Sequence, residues 1–321
     1  MKAAQIVAPR QIEMIDIDRP DISSDPEGAV LIKNHMNAIC GTDMPSFVME
    51  HPADAYPLSP GMTIHECIGE VVESKSDRFK EGDAVLALPG RPGGLSEYFV
   101  ANEAVTVPLV DFERKDCILM SQPLGTVIWA CSKLGNLLNQ DVVVMGQGPM
   151  GLLFTHLVSN LGAKTVIATD LVDFRLEAAK QMRATHTVNA AEVDPVAAVE
   201  QITDGRMADL VFEVVGHQTE TINQCMNMVK RDGTILAFGV PDEPTYPFGF
   251  GDLFRKNIRL IGSVGPDAQN NFPLAMDMIS QGRIDVSPMI THRLPFTEVQ
   301  HGFELSLYKK DEAIKIVLEY D

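Results

Sequence analysis

Gly146, Gly148 and Gly151 stand in the pattern G-x-G-x-x-G, and Asp170 follows nineteen positions after the last of them. The first glycine permits a tight turn. The second lets the backbone approach a pyrophosphate, and the third lets a helix pack close to a strand. A helix starting at this turn offers free N–H groups and a partial positive charge to phosphates. An acidic residue at the distance of Asp170 takes ribose hydroxyls and repels a 2′-phosphate, so the pattern reads as a site for NAD rather than NADP.

A second group lies far from the first. Cys40-Gly-Thr42-Asp43 is followed 25 positions later by His65-Glu66-Cys67-Ile68-Gly69. Cysteine, histidine and glutamate all ligate a borderline-soft divalent ion such as zinc, and two separated ligand groups can build a site with one position open. Asp43 could accept the second ring N–H of His65 and fix its tautomer. A buried cysteine and a satisfied core histidine would explain the same residues. His65-Glu66-x-x-Gly69 is not the HExxH protease motif, because position 69 is glycine.

The elements that must position these groups are legible in outline. Val142–Met145 is a short β-branched run, read as a buried parallel strand. Leu152, Leu153, His156, Leu157 and Leu161 then recur at helical spacing, with Gly162 as a C-cap. From about Leu119 strand and helix alternate, with further strands at Thr165–Asp170, Thr187–Val188, Ala208–Val215, Thr234–Gly239 and Ile258–Gly262, and helical stretches at Pro195–Ile202 and Glu220–Val229. Six strands of this kind make a doubly wound parallel sheet. Its cofactor lies across the C-terminal strand ends, which puts Gly239, Val240, Gly262 and Ser263 at the nicotinamide half. The first ~115 residues have another texture, short strands such as Ala29–Lys33, Gly69–Glu73, Ala84–Leu88 and Tyr98–Val100 between turns, and predict a mostly β domain. In the tail, Phe272–Gly282 reads as a helix, and Ile284–Ile290, Phe303–Leu307 and Ile314–Leu318 as strand, helix and strand. This tail is expected to return to the first domain.

Composition narrows the partners. The 321 residues carry 26 basic and 44 acidic groups, a net charge of −18, which disfavours nucleic acid and anionic membranes. No apolar run approaches the ~18 residues of a membrane helix, and Met1–Val7 reads as a first strand rather than a signal peptide. Five cysteines without a CxxC pair argue against a disulfide framework and for the cytoplasm. Apart from Cys40, they read as small buried apolar residues.

Together these residues resemble the zinc-dependent medium-chain dehydrogenase/reductase family of alcohol, polyol, sugar and threonine dehydrogenases. The carriers are Cys40-Gly-Thr42-Asp43, His65-Glu66-x-x-Gly69, Gly82-Asp83, Gly94-x-x-Glu97-Tyr98, Pro123-Leu124, the glycine motif, Asp170-x-x-x-x-Arg175 and Thr291-His292-Arg293. The resemblance implies an α/β protein: a doubly wound parallel (Rossmann) NAD-binding domain over 122–266, and a mostly β, GroES-like catalytic domain from 1–121 and 267–321. It implies Cys40 and His65 as ligands of a catalytic zinc, with Glu66 a ligand or just behind it. Thr42 takes the substrate hydroxyl proton, and Asp43 orients His65. Gly146, Gly148, Met150, Gly151, Asp170, Arg175, Val240 and Ser263 are the implied cofactor-binding residues. The implied reaction is reversible hydride transfer between NAD and a secondary alcohol, on a polyol, sugar or cyclitol rather than a simple alcohol. Family dimers commonly join through the nucleotide-sheet edge, here near Thr234–Gly239 or Ile258–Gly262, so a homo-oligomer, dimer or tetramer, is expected.

The chain departs from the family in four places. Gln122, a neutral and weaker donor, stands where the family has a third ligand, Cys or Glu, and either binds the metal or sits beside it. Ile64 replaces the glycine before the histidine, with Gly61 displaced upstream. The histidine that often ends the proton relay is missing at Met44 and Pro45, though His51 is near in sequence. Only Pro89–Ser96 remains where the family carries four closely spaced cysteines, so one zinc per chain is expected. Phe47 and Trp129 either line the substrate pocket or pack in the core. Two other functions fit the same residues: a zinc-independent reductase of a ketone or activated double bond, and a non-catalytic NAD-binding protein.

Overall fold

The alternating and β-branched runs of the N-terminal third become strands in the computed structural model, which describes residues 1–49 and 52–321. The chain divides into two units, one of Met1–Gly125, Asp267–Gln281 and Ile290–Asp321, the other of Thr126–Pro266 and Gly282–Met289.

In the first unit, β1 (Lys2–Ala8) and β2 (Gln11–Asp16) form an antiparallel ribbon. A larger sheet is built on β3 (Ala29–Ala38), flanked by β4 (Glu66–Ser74) and, further out, β5 (Ala84–Ala87), with β6 (Tyr98–Asn102) and β7 (Thr106–Pro108) completing its early part. The apolar start of β3, Ala29 to Ile32, is wholly buried, as a central strand covered on both faces must be. Its core includes Ile6, Val30, Ile32, Phe99 and Phe303. Phe47 is fully buried there with its ring 5.1 Å from that of Phe303, so it packs the core rather than lining a pocket.

The second unit holds β8 (Asp141–Met145), β9 (Thr165–Asp170), β10 (His186–Asn189), β11 (Ala208–Glu213), β12 (Val229–Ala237) and β13 (Arg259–Gly262). All pairings are parallel, in the order β10-β9-β8-β11-β12-β13. This is the doubly wound sheet expected, and the order reverses between β8 and β11, the point where such sheets bind ligands at their C-terminal ends. Because β12 is paired on both sides, Thr234–Gly239 is not an edge; β13, paired only with β12, is. Trp129 is half-buried under the Lys133 ammonium, 5.4 Å from the ring centre.

The tail corrects one expectation. Ile284–Ile290 is not a strand, and residues 282–289 cluster with the second unit. Asp285 Oδ1 accepts from both the backbone N–H (2.9 Å) and the hydroxyl (2.6 Å) of Ser287, a local turn that competes with a ladder. The strand starts at β14 (Ile290–Pro295) and pairs parallel with β15 (Lys315–Glu319), which lies antiparallel to β3. The helices are Ala268–Ser280 and Val299–Tyr308. Asp116, beside the arginines at 114 and 293, ties β14 to the helix Lys115–Leu119, and although burial opposes it the two guanidinium groups hold its carboxyl down to about 2.

His156, on the helix Pro149–Asn160, is buried, and its Nε2 accepts from the Asp285 backbone N–H at 2.9 Å. Burial, with Arg183 nearby, holds the imidazole down to about 4. The unfolded chain takes up this proton near pH 6.5 and the folded chain only near pH 4. The contribution is therefore complete above pH 6.5 and is lost as pH falls through that window, by at most about 3 kcal/mol. Denaturant unfolding of wild type and His156→Gln between pH 7 and 4 should show a shallower acid loss in the variant; equal slopes would remove His156 from the acid response.

Candidate functional site

The two ligand-bearing segments meet because β3 and β4 are antiparallel. Ala38, the last residue of β3, is the register partner of Glu66, the first of β4. Cys40 therefore lies just beyond one strand end and His65 just before the facing strand start. Ligand atoms of Cys40, His65 and Glu66 all lie within 4.8 Å of one another. A zinc ion bound at 2.0–2.3 Å sets its donors roughly 3.5 Å apart, so small side-chain movements would close the set. Among the described residues this is the only group of three or more Cys, His, Asp or Glu residues with metal-binding spacing.

The surroundings suit a cation. Glu66 is fully buried; its Oε1 accepts from Lys315 Nζ at 2.6 Å, while Oε2 is buried without a hydrogen-bond partner. Lys315, the first residue of β15, is 1% exposed. Burial alone would lower its pKa, but the charges of Glu66 and Cys40 prevail and raise it. Burial likewise opposes a charged His65, yet its hydrogen bond to Cys40 and the charges of Cys40, Asp43 and Glu66 hold it up to about 9. The orphaned Glu66 oxygen, a thiol and an imidazole thus fit zinc in donor type. The other cysteines differ from Cys40. Burial raises the thiols of Cys67 and Cys225 and pushes Cys131 up to about 12, and none of these joins the cluster.

Asp43 is buried, and burial raises its pKa. Its Oδ2 accepts from the Cys40 backbone N–H at 2.7 Å, and its Oδ1 from the Thr63 hydroxyl at 2.6 Å. His65 Nδ1 is 3.8 Å from Oδ1, an ion-pair contact longer than a hydrogen bond. Thr42 is exposed on the 3-10 turn Gly41–Asp43. Gln122 is buried on the helix Ser121–Cys131. His51 lies outside the described residues.

In the second unit the glycine motif links β8 to the helix Pro149–Asn160. Gly146 has φ +93°, and a Cβ on Gly151 would stand 1.8 Å from the Gly146 carbonyl oxygen, so neither position admits a side chain. A Cβ on Gly148 would meet nothing nearer than Arg175 Nη1 at 4.0 Å, leaving the open cradle a pyrophosphate needs. Met150 is half-buried on the helix that follows. Asp170, at the end of β9, accepts from the backbone N–H groups of Gln147 (2.7 Å) and Val172 (3.1 Å), with Arg175 Nη1 at 3.7 Å. Arg175 Nε and Ser263 Oγ are buried without hydrogen-bond partners, and Val240 is exposed beyond the end of β12. These orphaned polar atoms at the C-terminal side of the sheet fit a dinucleotide.

Two residues escaped the sequence reading, Lys315 and Thr63. Lys315 interrupts the apolar run Ile314–Leu318, which is a signal; Thr63 carries none. Removing one member of the buried pair leaves the other uncompensated, so Lys315→Met should destabilise the chain by about 3–5 kcal/mol in denaturant unfolding. The double variant Lys315→Met/Glu66→Gln should recover part of that loss. A single variant as stable as wild type would refute the role of the pair.

Residues 26–111 match the alcohol dehydrogenase GroES-like domain, and residues 149–281 match the zinc-binding dehydrogenase family. An L-threonine 3-dehydrogenase of Bacillus licheniformis is 30% identical over 90% of each chain. A sorbitol dehydrogenase of Bacillus subtilis is 28% identical over 99% of this chain and 97% of that one. The solved structure of an Escherichia coli oxidoreductase/dehydrogenase of unknown specificity superimposes with a TM-score of 0.86 at 27% identity, covering 100% of both chains. The fold, the ligand cluster, the glycine turn and these relatives agree: the chain belongs to the zinc-type medium-chain dehydrogenase/reductase family.

Proposed function

We propose that the chain is a cytoplasmic, NAD-dependent dehydrogenase that interconverts a secondary alcohol, of a polyol, sugar or cyclitol, and its carbonyl. The observation that carries this reading is the Cys40–His65–Glu66 cluster with its buried, unpartnered Glu66 oxygen. Cys40, His65 and Glu66 would hold one zinc per chain, with Gln122 as a neutral donor beside them. The chemistry of such a zinc is Lewis-acid polarisation of the alcohol oxygen, and that of NAD is acceptance of the hydride. Thr42, exposed two positions after Cys40, receives the hydroxyl proton and passes it to solvent. Asp43 keeps the two ligand segments in place.

Gly146, Gly148 and Gly151 would carry the pyrophosphate, with Met150 on the helix that follows and Arg175 adding charge. Asp170 would take the adenosine ribose, and Val240 and Ser263 would serve the nicotinamide half. The sorbitol and threonine dehydrogenases among the relatives support an alcohol substrate of this kind. Among the described residues no helix is long and apolar enough to cross a membrane, and all five cysteines are free thiols. A homo-oligomer, dimer or tetramer, would form along the open edge at β13, where Leu260 and the neighbouring Phe254 and Val264 are exposed.

A zinc-independent reductase is the second reading, favoured by the neutral Gln122 and by the hold of Lys315 on Glu66 Oε1. Turnover unaffected by a strong chelator would support it.

Turnover of a panel of polyols and sugars with NAD and NADP is the direct test. NAD should be preferred. Asp170→Ala should lose about 10- to 100-fold in kcat/KM for NAD, the loss of a charged hydrogen bond, and narrow the preference over NADP. An unchanged preference would remove Asp170 from the ribose site. Cys40→Ser should abolish turnover; full activity in that variant would contradict the metal assignment.

A further inference from the structure

The segment leading into His65 is strained. Thr63 has φ +81° and Ile64 φ +23°, two consecutive β-branched residues in a region that L side chains avoid. The residue before the histidine is Ile64 rather than the family's glycine, so no freedom built into the residue type permits this backbone. Contacts impose it instead. The Gly61 N–H donates to the Ala4 carbonyl at 2.8 Å, and the Leu95 N–H donates to the Gly61 carbonyl at 3.1 Å. The Ile64 carbonyl oxygen sits so close to Gly94 that a Cβ there would be 2.3 Å away. Strain that persists because its surroundings over-determine it belongs at functional sites.

This backbone accompanies one polar contact. The Thr63 hydroxyl donates to Asp43 Oδ1 at 2.6 Å, while Asp43 Oδ2 accepts from the Cys40 backbone N–H at 2.7 Å. Asp43 is 1% exposed, so each of these bonds is made away from water. The carboxylate joins two segments twenty or more residues apart, one oxygen to the Cys40 loop and the other to the loop that ends in His65. The histidine ring itself is 3.8 Å from Oδ1. The direct link between Asp43 and the second loop is therefore Thr63, not His65.

We propose that Thr63 is a positioning residue: its hydroxyl locks Asp43 between the Cys40 and His65 loops and thereby sets the metal affinity of the Cys40–His65–Glu66 cluster. This rests on the reading of that cluster as a zinc site. Without the hydroxyl, Asp43 keeps its bond to Cys40 but loses its hold on the second loop, and the ligands are no longer preset at one separation. Partners of this kind change metal affinity by about 10- to 100-fold when removed.

The test is zinc affinity by competition with a chromophoric chelator, together with the visible absorption of the cobalt-substituted protein, which reports ligand geometry without turnover. Thr63→Val should bind zinc about 10- to 100-fold more weakly and shift the cobalt bands. Thr63→Ser, which keeps the hydroxyl, should remain close to wild type. Thr63→Gly frees the backbone but lacks the hydroxyl, and should lose affinity as Thr63→Val does. Should Thr63→Val fail to fold, the Ser and Gly variants decide the matter by the same comparison. A Val variant with wild-type affinity and spectrum overturns the proposal, as does a Gly variant that matches wild type. Zinc binding that is absent in wild type, or undiminished in Cys40→Ser, overturns the zinc-site reading itself and the proposal with it; Cys40→Ser binding weakly while Thr63→Val binds normally overturns the proposal alone.

Discussion

A carboxylate with no exposure to water cannot stand alone, and Glu66 is such a group at the first position of β4. Its partner, Lys315, is 249 positions away in sequence and equally buried. The pair forms because β15 returns to lie beside β3 while β4 lies on the other side of β3. The last strand of the chain, the central strand of the first unit and the loop carrying His65 are thus bound to one electrostatic requirement. Lys315 satisfies one Glu66 oxygen, the second is buried without a partner, and a carboxylate oxygen of Glu66 lies within 4.8 Å of ligand atoms of Cys40 and His65.

The second unit solves a different problem by different means. Its distinctive geometry is set by the backbone at a glycine turn. Parallel strands aim their C-terminal ends one way, the order reverses beside β8, and the glycine turn lets the following helix start within van der Waals reach of that turn. Asp170 is held by the backbone N–H groups of Gln147 and Val172, with Arg175 as its ion-pair partner at 3.7 Å. Under the proposed function, the first unit would supply the metal and the second the dinucleotide, the two capacities that hydride transfer from an alcohol combines.

Local patterns were legible in the sequence and long-range ones were not. The β8 strand, the helix after it and Asp170 announce themselves because each is dictated by neighbours a few residues away. Cys40, His65 and Glu66 could be named as donors, but their meeting depends on the β3–β4 register, which no single segment encodes. Ile284–Ile290 was misread because apolar residues at alternate positions resemble a strand, whereas Asp285 and Ser287 make a turn. Lys315 stands out as a charge within the apolar run Ile314–Leu318, but its partner Glu66 is identified only when β15 is placed beside β3. Thr63 is invisible for the same reason: its hydroxyl matters through Asp43, twenty residues earlier. Phe47 was ambiguous by type alone and became a core residue once Phe303 was brought against it.

The central claim is that Cys40, His65 and Glu66 of the first unit constitute a single metal centre. Elemental analysis of the purified chain, after zinc has been offered and excess removed, measures this without reference to any substrate. One zinc per chain is the expected result. No retained zinc would contradict it and leave the zinc-independent reductase as the better description, and two per chain would contradict the single site expected from the cysteine-free Pro89–Ser96 segment.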